Sequence, residues 1–145
     1  MPERETIERA QEDAREGKSP STQAGEFVRE EMHHVREGKH GAASTKQAIA
    51  IGLSKARRAG VKLPAKGSPS TRRKAELDTR AARSKRKPSA KRSRATSEAL
   101  KRQPKSAASR KALSRQAKSS AVTRGKRARS ASAQKAAQTR SRRAA

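Results

Sequence analysis

Lysine and arginine carry most of the chemistry open to this chain. Late in the sequence they come in short groups separated by Ala and Ser: Arg72, Arg73 and Lys74; Lys85, Arg86 and Lys87; Lys91 and Arg92; Lys101 and Arg102; Lys126 and Arg127; Arg142 and Arg143. Cations spaced in this way neutralise phosphates and release condensed counterions, and ten engaged bases on duplex DNA give a slope of roughly −9 in log K against log salt. Lys46, Lys55, Arg57 and Arg58 lie earlier, on a segment that reads as a helix, and are the candidate contacts of a structured region. The late segment contains no aromatic side chain on which a single-stranded base could stack. The pattern therefore points to duplex DNA phosphates ahead of RNA, with little sequence reading.

Other chemistry has weaker support. His33, His34 and His40, with Glu30 and Glu37 nearby, are the one imidazole cluster, but the chain has no Cys and the spacing follows no established ligand pattern. They read as solvated histidines flanking a loop. No phosphate-binding glycine loop, nucleophile elbow or HExxH pattern is present, and the acids sit in charge-mixed stretches where they pair at i, i+4. No catalytic residue, cofactor or metal is expected, and the chain is not expected to be an enzyme.

The elements that position these residues must be built from little apolar material. Among the 145 residues, fifteen are apolar and larger than Ala, one is aromatic (Phe27), and the formal net charge is +26. Burying fifteen such side chains at about 1.5 to 3 kcal/mol each does not offset about 1 to 2 kcal/mol of backbone entropy per residue. The expected fold class is therefore mostly disordered with a small all-α part. Charge divides the chain in the same way: residues 1–37 carry ten acids and six bases, residues 38–64 six bases and no acid, and residues 65–145 twenty-seven bases and three acids. This gives a polar, mixed-charge segment (1–23), a helical hairpin (24–64) and a long basic, low-complexity, disordered tail (65–145). KLPAKGSPST, with two prolines and a glycine, is the linker between hairpin and tail.

The first segment carries Ile7 as its one large apolar residue inside residues 3–16, so a helix there is expected to be solvated and marginal. In EFVREEMHHVREG, Val28, Met32 and Val35 fall at helical spacing beside Phe27, which predicts a helix over about 24–37 that stops at Gly38. A second helix is predicted over about 45–59. Ser44 and Gln47 form an SxxQ capping box at its start, and Gly60, the terminal Arg57 and Arg58, and Pro64 mark its end. Ile49, Leu53 and Ala56 share one face, next to a ridge of small residues at Ala48, Gly52 and Ala56 that lets another backbone approach. The Phe27, Val28, Met32, Val35 stripe is the expected partner, with residues 38–43 connecting and Ile51, Lys55 and Arg58 on the solvent side. In the tail, Leu77, Leu100 and Leu113 form no continuous stripe, so no tertiary core is expected there; SPST recurs at 19–22 and 68–71, which composition alone explains equally well as chance, and the second copy, SPSTRRK, resembles the Ser-Pro-basic elements of histone tails.

EFVREEMHHVREGKH followed by STKQAIAIGLSKARRAGVKLP resembles an uncharacterised bacterial family of short Lys/Arg-rich proteins that share a Ser/Thr-x-KQAIAIGLSxARxxGxKxP core, often ahead of a low-complexity basic tail. The resemblance spans about residues 24–64 and implies a bacterial cytoplasmic protein without implying an activity. The tail separately resembles linker-histone and bacterial histone-like tails. The N-terminus has no apolar run of the secretory type and no stretch is long enough to span a bilayer, so the reading is a soluble, intracellular, nucleoid-associated DNA-binding protein. The alternatives are a hairpin that binds a protein or a second copy of itself, with the tail as tether, and an RNA- or ribosome-associated protein. Anionic membranes are not expected partners, because no amphipathic stretch with bulky anchors is present.

Overall fold

The computed structural model describes residues 1–84 and 89–144, with side chains as far as Arg142. The elements are α1 (Arg4–Arg15), α2 (Pro20–Glu37), α3 (Thr45–Arg58), α4 (Pro69–Ala82), α5 (Ala90–Lys101), a single 3-10 turn η1 (Lys105–Ala108) and α6 (Arg110–Ala144). They form two compact units, one running from Met1 to Ser109 and the other from Arg110 onward.

The expected hairpin is present; the stop of α2 and both ends of α3 follow the expectation, while α2 begins at Pro20, four residues before the expected start. Ser44 Oγ accepts from the Gln47 N–H at 3.1 Å, and the Gln47 side chain returns to the Ala43 N–H at 2.7 Å, one residue earlier than the capping box predicts. Gly60 has φ 98°, and the N–H groups of Gly60 and Val61 donate to Arg57 O and Ala56 O, closing α3 with a Schellman motif. Gly38 ends α2 in the same way, through Lys39 N–H to His34 O. Ala48, Gly52 and Ala56 are buried, so the ridge of small residues is the packed face. A Cβ on Gly52 would lie 2.7 Å from Val28 Cα, which places the α2 backbone directly against this residue.

Three expectations fail, and one physical cause connects them. The first segment is not a solvated, marginal helix: α1 packs on α2, Thr6 and Ala10 are buried, Ile7 packs against the core of Ala10, Ala24, Phe27, Ala56 and Val61, and Arg9 meets Glu26 at 2.8 Å. The chain is not mostly disordered, and the region from 65 on is not a disordered, low-complexity tail: its described residues form α4, α5, η1 and α6. Tertiary packing also reaches into that region. α4 buries Ala75 against the hairpin and holds Arg58 to Asp78 at 2.9 Å, while η1 buries Ala107 and Ala108 between α2 and α3. Backbone bonds fasten this docking, from Gly41 N–H to Leu100 O and from Ala42 N–H to Pro104 O. The Thr45 hydroxyl donates to Ala107 O at 2.6 Å. The shared cause is alanine. Of the twelve buried apolar residues among those described, eight are Ala, so a count restricted to larger side chains overlooks most of the core. Helices that meet through Ala and Gly approach closely and gain dispersion contacts with little side-chain entropy to lose. Ala, Arg, Lys and Gln are also strong helix formers, which satisfies the backbone locally.

The repeated SPST has the same explanation at both sites. Ser19 and Ser68 are N-caps accepting from Thr22 N–H and Thr71 N–H, with Pro20 and Pro69 at the first helical position. It is a helix start, with Pro where its missing N–H has no intrahelical partner to lose.

Candidate nucleic-acid interface

The candidate phosphate contacts are exposed side chains held outward by helices. Arg72, Arg73 and Lys74 lie on the first turns of α4, Lys91 and Arg92 on α5, Lys101 and Arg102 at its end, and Lys126, Arg127 and Arg142 on α6; all are exposed. Lys85, Arg86 and Lys87, and the side chain of Arg143, lie outside the described residues. The sequence of α6 contains twelve bases and no acid. Its hydroxyls turn inward on the helix itself: Thr123, Ser132 and Thr139 donate to the carbonyls of Ser119, Ala128 and Lys135. Gly125 (φ 73°, ψ 168°) interrupts α6, so Arg124 and Lys126 flank a break between two helical stretches. Among the described residues, no base of α4, α5 or α6 forms an ion pair with an acid.

The structured-region candidates fare differently. Lys46 is exposed at the start of α3. Arg57 is half-buried, and its Nη2 donates to Pro64 O at 3.5 Å. Arg58 is held by Asp78. Lys55 is not on the solvent side as expected; it reaches back to α2, with Nζ 2.8 Å from Glu31 Oε2 and 3.1 Å from Glu30 Oε1. Burial is the largest single influence on Lys55 and opposes its charge, but Glu31 and Glu30 together outweigh it and raise its pKa above the ordinary lysine value. Helical spacing places Lys55 one turn beyond Gly52, toward α2, and that signal was available in the sequence.

The histidines also depart from the expected solvated loop. His33 is exposed, but His34 and His40 retain only 12% and 16% of their side-chain exposure. His40 Nε2 lies 3.1 Å from Glu31 Oε1, and the Glu31 side chain is fully buried. His34 Nε2 lies 2.9 Å from Glu3 Oε1, and Lys39 Nζ lies 3.2 Å from the same oxygen. These contacts hold Glu3 below the usual carboxylate range, with the His34 hydrogen bond first among the causes and Lys39 next. One ligand atom each from Glu31, His34 and His40 lies within 4.8 Å of the others. Glu31, rather than Glu30 or Glu37, is the acid that completes this group, which sequence spacing alone did not single out.

Residues 15–67 match the model of a family of unknown function (DUF6496). The match takes in α2, α3 and the Glu31, His34, His40 group, and leaves α4, α5 and α6 outside it. No curated protein and no solved structure matches the chain. No helix among the described residues is long and apolar enough to cross a membrane.

Proposed function

We propose that this is a nonenzymatic, histone-like protein that binds duplex DNA through phosphate contacts, largely without sequence specificity, in the bacterial nucleoid. The observation that carries the reading is α6, a helical segment with twelve bases, no acid and no buried side chain among those described. Cations at the ends of long side chains are free to follow a phosphate backbone, and among the described residues of α6 none has to break an internal ion pair first. In the first unit, the exposed bases of α4 and α5 and Lys46 are further phosphate contacts, while Lys55 and Arg58 are engaged within the protein and contribute less. The absence of aromatic side chains from residues 65–145 favours duplex over single-stranded ligands. The competing reading, a hairpin that docks a protein partner, has less apolar surface to draw on, since α1, α4 and η1 pack against that hairpin.

The test is a titration of duplex DNA at several salt concentrations, comparing the natural protein with a variant in which Arg124, Lys126, Arg127 and Arg129 are replaced by Gln. The variant is expected to bind more weakly, with a slope in log K against log salt shallower by up to about 3.6, at about 0.9 per lost phosphate contact. An unchanged slope and affinity would remove α6 from the interface, and preference for structured RNA in direct competition would replace DNA as the ligand.

A further inference from the structure

We propose that Glu31, His34 and His40 form a divalent transition-metal site of the zinc class that clamps the α2–α3 connection to α2. The argument begins with hydrogen positions. His40 Nδ1 lies 3.0 Å from Gly41 O, and a carbonyl oxygen only accepts, so the proton of a neutral ring sits on Nδ1. The Nε2 lone pair then faces the Glu31 Oε1 lone pairs across 3.1 Å. Two acceptors held at that distance require a cation between or beside them.

Glu31 sharpens the requirement. Its side chain is 0% exposed and neither carboxylate oxygen accepts a hydrogen bond of sound geometry, although Lys55 Nζ sits at ion-pair distance from Oε2. Lys55 therefore leaves Oε1 as the open coordination point. His34 follows Glu31 at i, i+3 on the same face of α2; its Nε2 is engaged by Glu3, and its Nδ1, 3.9 Å from Glu30 Oε1, is the nitrogen assigned to ligate. Both rings thus have a carbonyl or carboxylate on the second nitrogen, the arrangement that fixes tautomer and orientation in metal-bound histidines. Local charge agrees. Glu3, Glu30, Glu31 and Glu37 meet only Lys39 and Lys55 through these contacts, so neutral imidazoles leave room for two positive charges.

Two imidazoles and one carboxylate suit zinc and its neighbours better than calcium or magnesium, and three protein ligands leave a fourth position for water. The 3.1 Å between His40 Nε2 and Glu31 Oε1 is close to the roughly 3.3 Å separating ligand atoms on a tetrahedral ion with bonds of about 2.0 to 2.1 Å. Of the three ligands, His34 lines an open cleft, together with Glu3, Glu30, Glu37, Arg9, Arg29 and Lys39. Gly41 and Ala42, next to His40, are the residues whose N–H groups hold Leu100 and Pro104, so an ion on His40 also steadies the docking of η1.

The experiment uses the untagged full-length protein, in which three histidines and no cysteine keep the competing ligands few. Zinc is titrated against a chromogenic chelator, cobalt(II) uptake is followed by visible absorption, and the imidazole resonances are followed by NMR. One equivalent of zinc is expected to bind, with a cobalt spectrum of tetrahedral intensity and shifts at His34 and His40 but not His33. His40→Ala and Glu31→Gln are each expected to lower zinc affinity at least about tenfold, and His33→Ala to leave it unchanged. The NMR readout on the natural protein decides the matter if Glu31→Gln fails to fold. No stoichiometric uptake, or uptake that shifts His33 as much as the other two, overturns the proposal and assigns the cation between His40 and Glu31 to a second imidazole proton.

Discussion

Gly52 and Lys55, one turn apart on α3, show how much a single side chain decides here. Gly52→Ala gains about 1 kcal/mol of helix propensity but drives a Cβ to within 2.7 Å of the Val28 backbone, an atom that cannot swing aside. The clash is expected to prevail, with a net loss of about 1 to 2 kcal/mol, measured as a lower denaturant midpoint at unchanged m. Lys55 is the counter-charge of two buried carboxylates, so Lys55→Met strands Glu30 and Glu31 and is expected to cost about 3 to 5 kcal/mol, the range for breaking a buried pair by removing one partner. If Lys55→Met melts with the natural protein, the buried carboxylates are being neutralised in another way. Gly52 was legible in the sequence because a mid-helix glycine among Ala residues demands a close neighbour. Lys55 was misplaced because a lysine near the end of a basic helix reads as solvent-facing, although its spacing of three residues from Gly52 turns it toward α2 and the acids there.

Among the elements, legibility followed the presence of local end signals. The cap of α3 and the stop of α2 are coded within a few residues, and both were placed to within one or two positions. α1 has a stop of the same kind, with Gly17 at φ 71° and Lys18 N–H on Asp13 O, but no side-chain cap at its start, and η1 has no side-chain cap. They are held by contacts from distant parts of the chain, such as Arg9 to Glu26 and Thr45 to Ala107, and by alanines that composition counts as neutral. Thr45→Val tests this docking directly. It keeps the shape and removes the hydroxyl that donates to Ala107 O in a buried setting, so a loss of about 1 kcal/mol is expected, with faster amide exchange in 104–108 and little change in α1. Equal acceleration throughout Met1–Ser109 would mean that η1 does not open separately. The twin SPST starts allow a paired test. Ser19→Ala and Ser68→Ala each remove an N-cap and are expected to cost about 1 kcal/mol of local helix stability.

For the molecule as a whole, the two units should respond oppositely to ionic strength. In Met1–Ser109 the acids are concentrated in α1 and α2 and form ion pairs with Arg9, Lys18, Lys39 and Lys55, contacts that salt screens and weakens. In α6 every charged side chain is basic, no described side chain is buried, and the helix rests on its own backbone bonds and helix-forming residues. Like charges one turn apart, as at Lys111 and Arg115, each oppose that helix by about 0.2 to 0.5 kcal/mol. Added salt, or a polyanion that binds the cations, therefore stabilises α6 while leaving the first unit unchanged or slightly weaker. Far-ultraviolet ellipticity at 222 nm is expected to grow more negative as fluoride salt rises from low concentration, and to do so at much lower ionic strength when duplex DNA is present. Residue-resolved amide exchange should place the added protection after Arg110. Protection that appears instead in α2 and α3 would mean that the cations of the first unit, rather than those of α6, govern the response to charge.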